Sequence, residues 1–171
     1  MPYVGVVGRG GSDVPAAVLS TAEAVGRAVA EAGAVLVCGG RDGVMEAACR
    51  GARAGGGLTV GILPGLDRGE ANPFVDVVLP TGLGEARNAL VARAADVLIA
   101  VDGGYGTLSE IALALAAGTP VVGVATWELR RADEGARADA GIVPVGDPVE
   151  AVRVALRLAG HRRADQDDEG L

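Results

Sequence analysis

Short runs of β-branched and aliphatic residues recur along the chain: Tyr3–Val7, Val35–Cys38, Thr59–Leu63, Val75–Val78, Val97–Val101, Val121–Val124 and Ile142–Val145. Each is nearly continuous rather than alternating. A strand with one wet face alternates apolar and polar residues, whereas an unbroken apolar run belongs to a strand covered on both faces, as in a parallel sheet. Helical patterns separate the runs at Pro15–Ala32, Val44–Ala54, Gly84–Ala94, Leu108–Ala117 and Pro148–Ala159. Pro15 and Pro148 suit first helical turns, and Gly33 and Gly118 suit helix ends. This order predicts a three-layer, Rossmann-like, doubly wound α/β fold around a mostly parallel sheet of about seven strands with right-handed crossovers. The stretch from Thr126 to Gly141 breaks the rhythm and reads as a long connection or a short irregular helix. Residues 1–160 form one expected domain, and 161–171 read as a disordered acidic tail.

The 28 glycines cluster just after the expected strands. The clusters are Gly8-Arg9-Gly10-Gly11-Ser12, Gly39-Gly40-Arg41-Asp42-Gly43, Gly61 to Gly65, Thr81-Gly82-Leu83-Gly84 and Gly103-Gly104-Tyr105-Gly106-Thr107. In an open parallel sheet all such loops emerge at the carboxyl edge, where ligands bind at the switch in strand order. One glycine loop needs no more explanation than a tight turn with positive φ. Gly-Gly pairs with a nearby hydroxyl, Ser12 in one loop and Thr107 in another, point instead to a backbone cradle for phosphate. The expected phosphate or nucleotide contacts are Gly8, Gly10, Gly11, Ser12, Gly39, Gly40, Gly103, Gly104, Gly106 and Thr107. Met45 is either a contact for a base or core packing. The pattern is not a dinucleotide fingerprint: after Gly8-x-Gly10 the third glycine position holds Asp13, and the second run ends in Cys38-Gly39-Gly40 rather than in a ribose-binding acid.

Composition narrows the chemistry. All 15 basic residues are arginine. Without a lysine no Schiff base can hold pyridoxal phosphate, and no Walker-type lysine can reach a terminal phosphate. The one histidine, His161, lies among charges near the C-terminus, against a histidine zinc site or a Ser-His-Asp triad. No metal and no cofactor are expected. The net charge of −7 and the scarcity of aromatic residues argue against nucleic acid as a partner. Cys38 and Cys49 lack metal spacing and fit buried thiols in a reducing cytosol. With no long apolar run and no signal-like segment, no membrane partner is expected and a cytoplasmic protein is.

Thr107 and Glu110 stand in Thr-Leu-Ser-Glu, the spacing of a capping box with Thr107 at the N-cap and Glu110 at N3. That alone accounts for both residues. The same glutamate would also lie at the mouth of the glycine cradle, within reach of a sugar attached to a bound phosphate. Arg87 follows a loop at the same edge, where a guanidinium can meet a phosphate or a developing anion. Arg9 and Arg41 are second candidates that are equally explained as loop-surface charges. Glu46 reads as solvated or capping.

Asp102-Gly-Gly-Tyr-Gly-Thr-Leu-Ser-Glu110 resembles the PGGxGTxxE signature of the LOG family, cytokinin riboside 5′-monophosphate phosphoribohydrolases that long carried the label "lysine decarboxylase". Arg87 falls at the family's upstream arginine, and Cys38-Gly-Gly-Arg-Asp-Gly-Val-Met45 is similar to its GGGxxGLM stretch. Leu58–Gly65, Ala71-Asn-Pro-Phe74 and Pro80–Asn88 resemble the LOG-like branch that includes molybdenum cofactor carrier proteins. The resemblance implies catalytic roles for Arg87 and Glu110, phosphate binding by Gly103, Gly104, Gly106 and Thr107, and a homodimer or larger homo-oligomer. It implies hydrolysis of a nucleoside 5′-monophosphate to base and ribose 5-phosphate, or carriage of a phosphorylated ligand without turnover. Three positions depart from the pattern: Asp102 replaces the signature proline, Asn88 follows Arg87 where a lysine is usual, and the first glycine loop has its own sequence.

Overall fold

The computed structural model describes residues 1–129 and 141–168. Seven parallel strands form one sheet in the order β4-β3-β2-β1-β5-β6-β7. They are β1 (Tyr3–Gly8), β2 (Val35–Cys38), β3 (Thr59–Leu63), β4 (Val77–Pro80), β5 (Val97–Val101), β6 (Val121–Val124) and β7 (Ile142–Pro144). The helices are α1 (Ala16–Glu31), α2 (Val44–Ala54), α3 (Asn88–Ala94), α4 (Tyr105–Ala116) and α5 (Pro148–Asp168). The expected doubly wound α/β fold is therefore present. The chain winds outward from β1 to β4, then returns to the other side of β1 for β5. The order reverses between β1 and β5, and every βα loop opens at the same carboxyl edge.

Unbroken apolar strands need cover on both faces, and the central ones have it, whereas edge strand β4 leaves Val77 and Leu79 exposed. Val4, Val6, Leu36, Cys38, Val97 and Ile99 pack under α1, α2 and α5, while Val7, Val35, Val37, Leu98 and Ala100 pack under α3 and α4. Helix α1 ends as its sequence predicts. Gly33 takes φ +70, and the Gly33 and Ala34 N–H groups return to the Ala30 and Val29 carbonyls at 2.9 and 3.1 Å.

Several boundaries differ from the sequence expectation. Strand β4 starts at Val77 rather than Val75, because Val75 N–H closes a turn onto the Asn72 carbonyl. Asp76 is likewise committed to Thr59, whose N–H and hydroxyl donate to its carboxylate at 3.0 and 2.9 Å. The stretch 84–94 divides into a 3₁₀ turn, Gly84–Arg87, and the short helix α3. Helix α5 continues past Ala159 to Asp168, over much of the segment expected as a tail, since its Ala, Arg, Gln and Asp residues carry no helix breaker after Gly160. Residues 169–171, and 130–140 of the irregular connection, lie outside the described residues. No described helix is long and apolar enough to cross a membrane.

Helices α1 and α2 cross at backbone contact. A Cβ at Gly26 would stand 1.9 Å from the Ala48 carbonyl oxygen, and one at Gly51 would stand 2.0 Å from that of Glu23. Arg50 closes the crossing with two bonds to the Glu23 carboxylate, at 3.0 and 2.8 Å. This contact seats the start of α2, and with it Met45, at the carboxyl edge of the sheet. Gly26→Ala is expected to cost about 1–3 kcal/mol in chemical denaturation, because backbone cannot yield to the added methyl. Gly160→Ala, where a Cβ meets nothing within 4 Å, should instead stabilise α5 by up to about 1 kcal/mol.

Candidate functional site

A cleft of about 730 Å³ opens where the strand order reverses, between the loops that leave β1 and β5. Of the residues expected from sequence, Gly8, Gly10, Gly11, Met45, Arg87, Gly104, Gly106, Thr107 and Glu110 line it. Ser12, Gly39, Gly40 and Gly103 do not. Ser12 is exposed outside the cleft. Gly39 acts from beneath, since its backbone lies against the Arg87 guanidinium and a Cβ there would fall 2.4 Å from Nη1.

Arg87 and Glu110 meet at the cleft. Arg87 ends the 3₁₀ turn before α3, Glu110 sits in the second turn of α4, and Nη1 donates to Oε1 at 3.3 Å. They are 8% and 6% exposed. Burial penalises both charges more than the pair's attraction compensates. It lowers the Arg87 pKa and pushes Glu110 up to about 7, while the Arg87 charge beside it pulls the other way. Arg87 Nε is buried with no hydrogen-bond partner among the described residues. A second tie fixes the same helix pair: Asn88 Nδ2 donates to Ser109 Oγ at 2.9 Å, and that hydroxyl donates to the Gly106 carbonyl at 2.8 Å.

The capping box is not formed. Gly103 turns the chain at φ +118, so α4 begins at Tyr105, with Gly104 at the N-cap and no side chain capping it. Thr107 is already the third helical residue, packed beneath Gly103. The Glu110 carboxylate thus lies beyond the reach of the first-turn N–H groups and turns to Arg87 instead. The start of α4 presents uncapped N–H groups and the positive end of its dipole to the cleft.

The first glycine loop behaves differently. Gly11 N–H is already taken by the Asp42 carboxylate at 2.9 Å, which ties the β1 loop to the β2 loop. Arg9 grips Asp102 through Nε at 3.0 Å and Nη2 at 3.4 Å. The negative charge expected beside the phosphate loop is therefore neutralised by a residue from the neighbouring loop. Asp102 also has φ +52, a conformation closed to proline, so the aspartate accompanies a differently shaped loop. Behind the cleft, Cys38 and Cys49 are buried free thiols with sulfurs 3.5 Å apart. Contact with Cys49, the Gly40 N–H and the Arg87 charge hold the Cys38 thiol below its usual range.

Sequence reasoning left out Asp42, Pro64, Gly84, Glu85 and Asn88 as cleft residues and held Arg9 and Arg41 only as second candidates. Asp42 and Asn88 had a signal, since they adjoin Arg41 and Arg87 in the same loops. Pro64 and Gly84 lie in glycine clusters already placed at the carboxyl edge, and Glu85 follows the second of them.

Residues 1–152 match the SLOG cluster4 family. The chain is 38% identical over 90 residues to the probable cytokinin riboside 5′-monophosphate phosphoribohydrolase LOGL5 of Oryza sativa subsp. japonica, covering 51% of this chain and 37% of the rice protein. It is similar to the molybdenum cofactor binding protein of Rippkaea orientalis, with TM-score 0.80, 37% identity, and 90% and 94% of the two chains covered. The molybdenum cofactor carrier protein of Chlamydomonas reinhardtii gives TM-score 0.80 and 34% identity over 94% of this chain and 99% of that one.

Glu110 should titrate near 7 by carboxyl-selective ¹³C NMR, and its midpoint should rise in Arg87→Met, where the opposing attraction is gone. A folded pKa above the unfolded value means that the protonated form favours the fold. Wild-type stability should therefore fall relative to Glu110→Gln as pH rises from about 4.5 to about 7, and the difference should level off above that window.

Proposed function

The chain belongs to the SLOG cluster4 family of LOG-like proteins, and from that premise we propose that its cleft hydrolyses the N-glycosidic bond of a nucleoside 5′-monophosphate, of AMP or cytokinin type, to free base and ribose 5-phosphate. The observation that carries this reading is the buried Arg87–Glu110 pair beside an uncapped helix start, with Glu110 poised near neutrality. The phosphate takes the N–H groups at the start of α4, near Gly104, Gly106 and Thr107, where the helix dipole favours an anion. That anchor brings the sugar toward Glu110. Glycosidic cleavage passes through an oxocarbenium-like state. Ionised Glu110 stabilises the developing positive charge and accepts a proton from the attacking water, whose oxygen bonds to the anomeric carbon. The electron pair of the breaking C–N bond leaves with the base, which takes up a proton. Arg87 orients Glu110 and offers donors to the phosphate or the departing base. The lysine-free sequence cannot anchor pyridoxal phosphate covalently, so decarboxylation of the kind once ascribed to the family has no support here. Gly8, Gly10 and Met45 border the remaining space, where the base would lie, and a homodimer belongs to the same reading.

A second reading is a carrier that binds molybdenum cofactor or a related phosphorylated ligand without turnover. Its support is the near full-length similarity to the Rippkaea and Chlamydomonas proteins. In that case the α4 cradle serves the ligand's phosphate and the Arg87–Glu110 pair is structural.

Purified protein incubated with AMP and other nucleoside monophosphates should release free base, read by chromatography. The rate should rise with pH through about 7 as Glu110 ionises. Arg87→Ala and Glu110→Ala should each lose at least about 100-fold, the scale of a missing general base. Base release no faster than in the double variant overturns the hydrolase. Saturable binding of a phosphorylated pterin by that same protein then supports the carrier.

A further inference from the structure

Among the described residues three guanidiniums border the cleft, and two have ion-pair partners. Arg9 holds Asp102, and Arg87 holds Glu110. Arg41 has no ion pair or side-chain hydrogen bond among the described residues, although it lines the same cleft. The adjacent Asp42 makes no ion pair with it among the described residues, and its Oδ1 accepts from Gly11 N–H. The charge of Arg41 is felt at Arg87, where it opposes that group's own ionisation. Arg41 is an exposed residue lining the cleft, and Arg87 is buried in it.

The backbone that carries Arg41 is held more firmly than a solvated loop requires. Asn72, 8% exposed, donates its Nδ2 to the Arg41 carbonyl at 2.8 Å and its N–H to the Gly40 carbonyl at 2.9 Å. Its own Oδ1 accepts from Phe74 N–H at 3.1 Å. Asn72 thus holds the chain at 40–41 with two hydrogen bonds and its own turn with a third. The guanidinium is therefore presented from a preorganised base, which lowers the cost of ordering it on a ligand.

We infer that Arg41 forms a second anion position in the cleft, beside the one at the start of α4 and Arg87, and that the preferred ligand is a nucleotide with a second phosphate. An anion at Arg41 offsets the charge that opposes Arg87 and meets planar donors that suit phosphate oxygens. A nucleoside monophosphate fills the α4 position and leaves Arg41 unmet. The inference rests on the nucleotide reading of the cleft and narrows its substrate class. The second phosphate belongs either to a 5′-diphosphate or to a 3′,5′-bisphosphate, and both present the same chemistry.

Isothermal titration of the full chain with AMP, ADP and adenosine 3′,5′-bisphosphate tests it, in wild type and Arg41→Gln. One doubly phosphorylated nucleotide should bind wild type at least about tenfold more tightly than AMP, one added charge-assisted contact. That ratio should fall to about one in Arg41→Gln. A ratio near one in wild type, or the same ratio in both proteins, overturns the inference; the latter includes the case where Arg41 serves the first phosphate. If no nucleotide binds, the nucleotide reading fails by itself, and thermal shifts with orthophosphate and pyrophosphate decide the anion position. Extra stabilisation by pyrophosphate that Arg41→Gln abolishes supports it, and equal or absent stabilisation overturns it.

Discussion

Withdrawing a guanidinium and a carboxylate from water costs several kcal/mol per ion unless each finds a partner, and the cleft is arranged around one such contact, Arg87 with Glu110. Forming it requires α3 and α4 side by side on one face of the sheet, Gly39 bare enough to let the guanidinium lie on its backbone, and a helix start two residues before Thr107. The pair is not a gain in stability. Both pKa values move toward the neutral forms, so the fold bears a net cost at this point. Such cost is common where a protein tunes a group for chemistry.

The surrounding loops divide the remaining work. In this acidic, lysine-free chain, anion binding falls to backbone N–H groups and arginine. The β1 loop gives its Gly11 N–H to Asp42 and its Arg9 to Asp102, and so serves chiefly to join neighbouring loops across the strand-order switch. That leaves the N–H groups at the start of α4 without a side-chain cap, as the proposed phosphate position requires. The aspartate at the signature proline's place fits the same division, since its charge is consumed by Arg9 and its backbone conformation excludes proline.

Much of this was legible in the sequence because the physical rules involved are local. Unbroken apolar runs gave β2, β3, β5 and β6 at their observed bounds, and glycine placement marked the ends of α1 and α4. The glycine clusters located the edge where the cleft opens, since parallel strands send every βα loop there. What was not legible depended on contacts between distant segments. Thr107 and Glu110 have the spacing of a capping box, yet a partner 23 residues away in sequence takes the carboxylate, and Gly103 lets the helix start earlier. Val75 and Asp76 read as strand, but Asn72 and Thr59 claim them. Arg9 and Arg41 looked equivalent in their glycine loops, and only the fold shows Arg9 paired with Asp102 and Arg41 without an ion pair among the described residues.

The placement of the phosphate at the start of α4, against the Arg87–Glu110 pair, is the central claim. Amide and guanidinium ¹H–¹⁵N NMR during a titration with AMP reads it most directly. The Gly106 and Thr107 amides and Arg87 Nε–H should shift together along one saturable curve, while Gly11 N–H, held by Asp42, should move little. Shifts centred on Gly8–Ser12 with an undisturbed α4 start and Arg87 would contradict it.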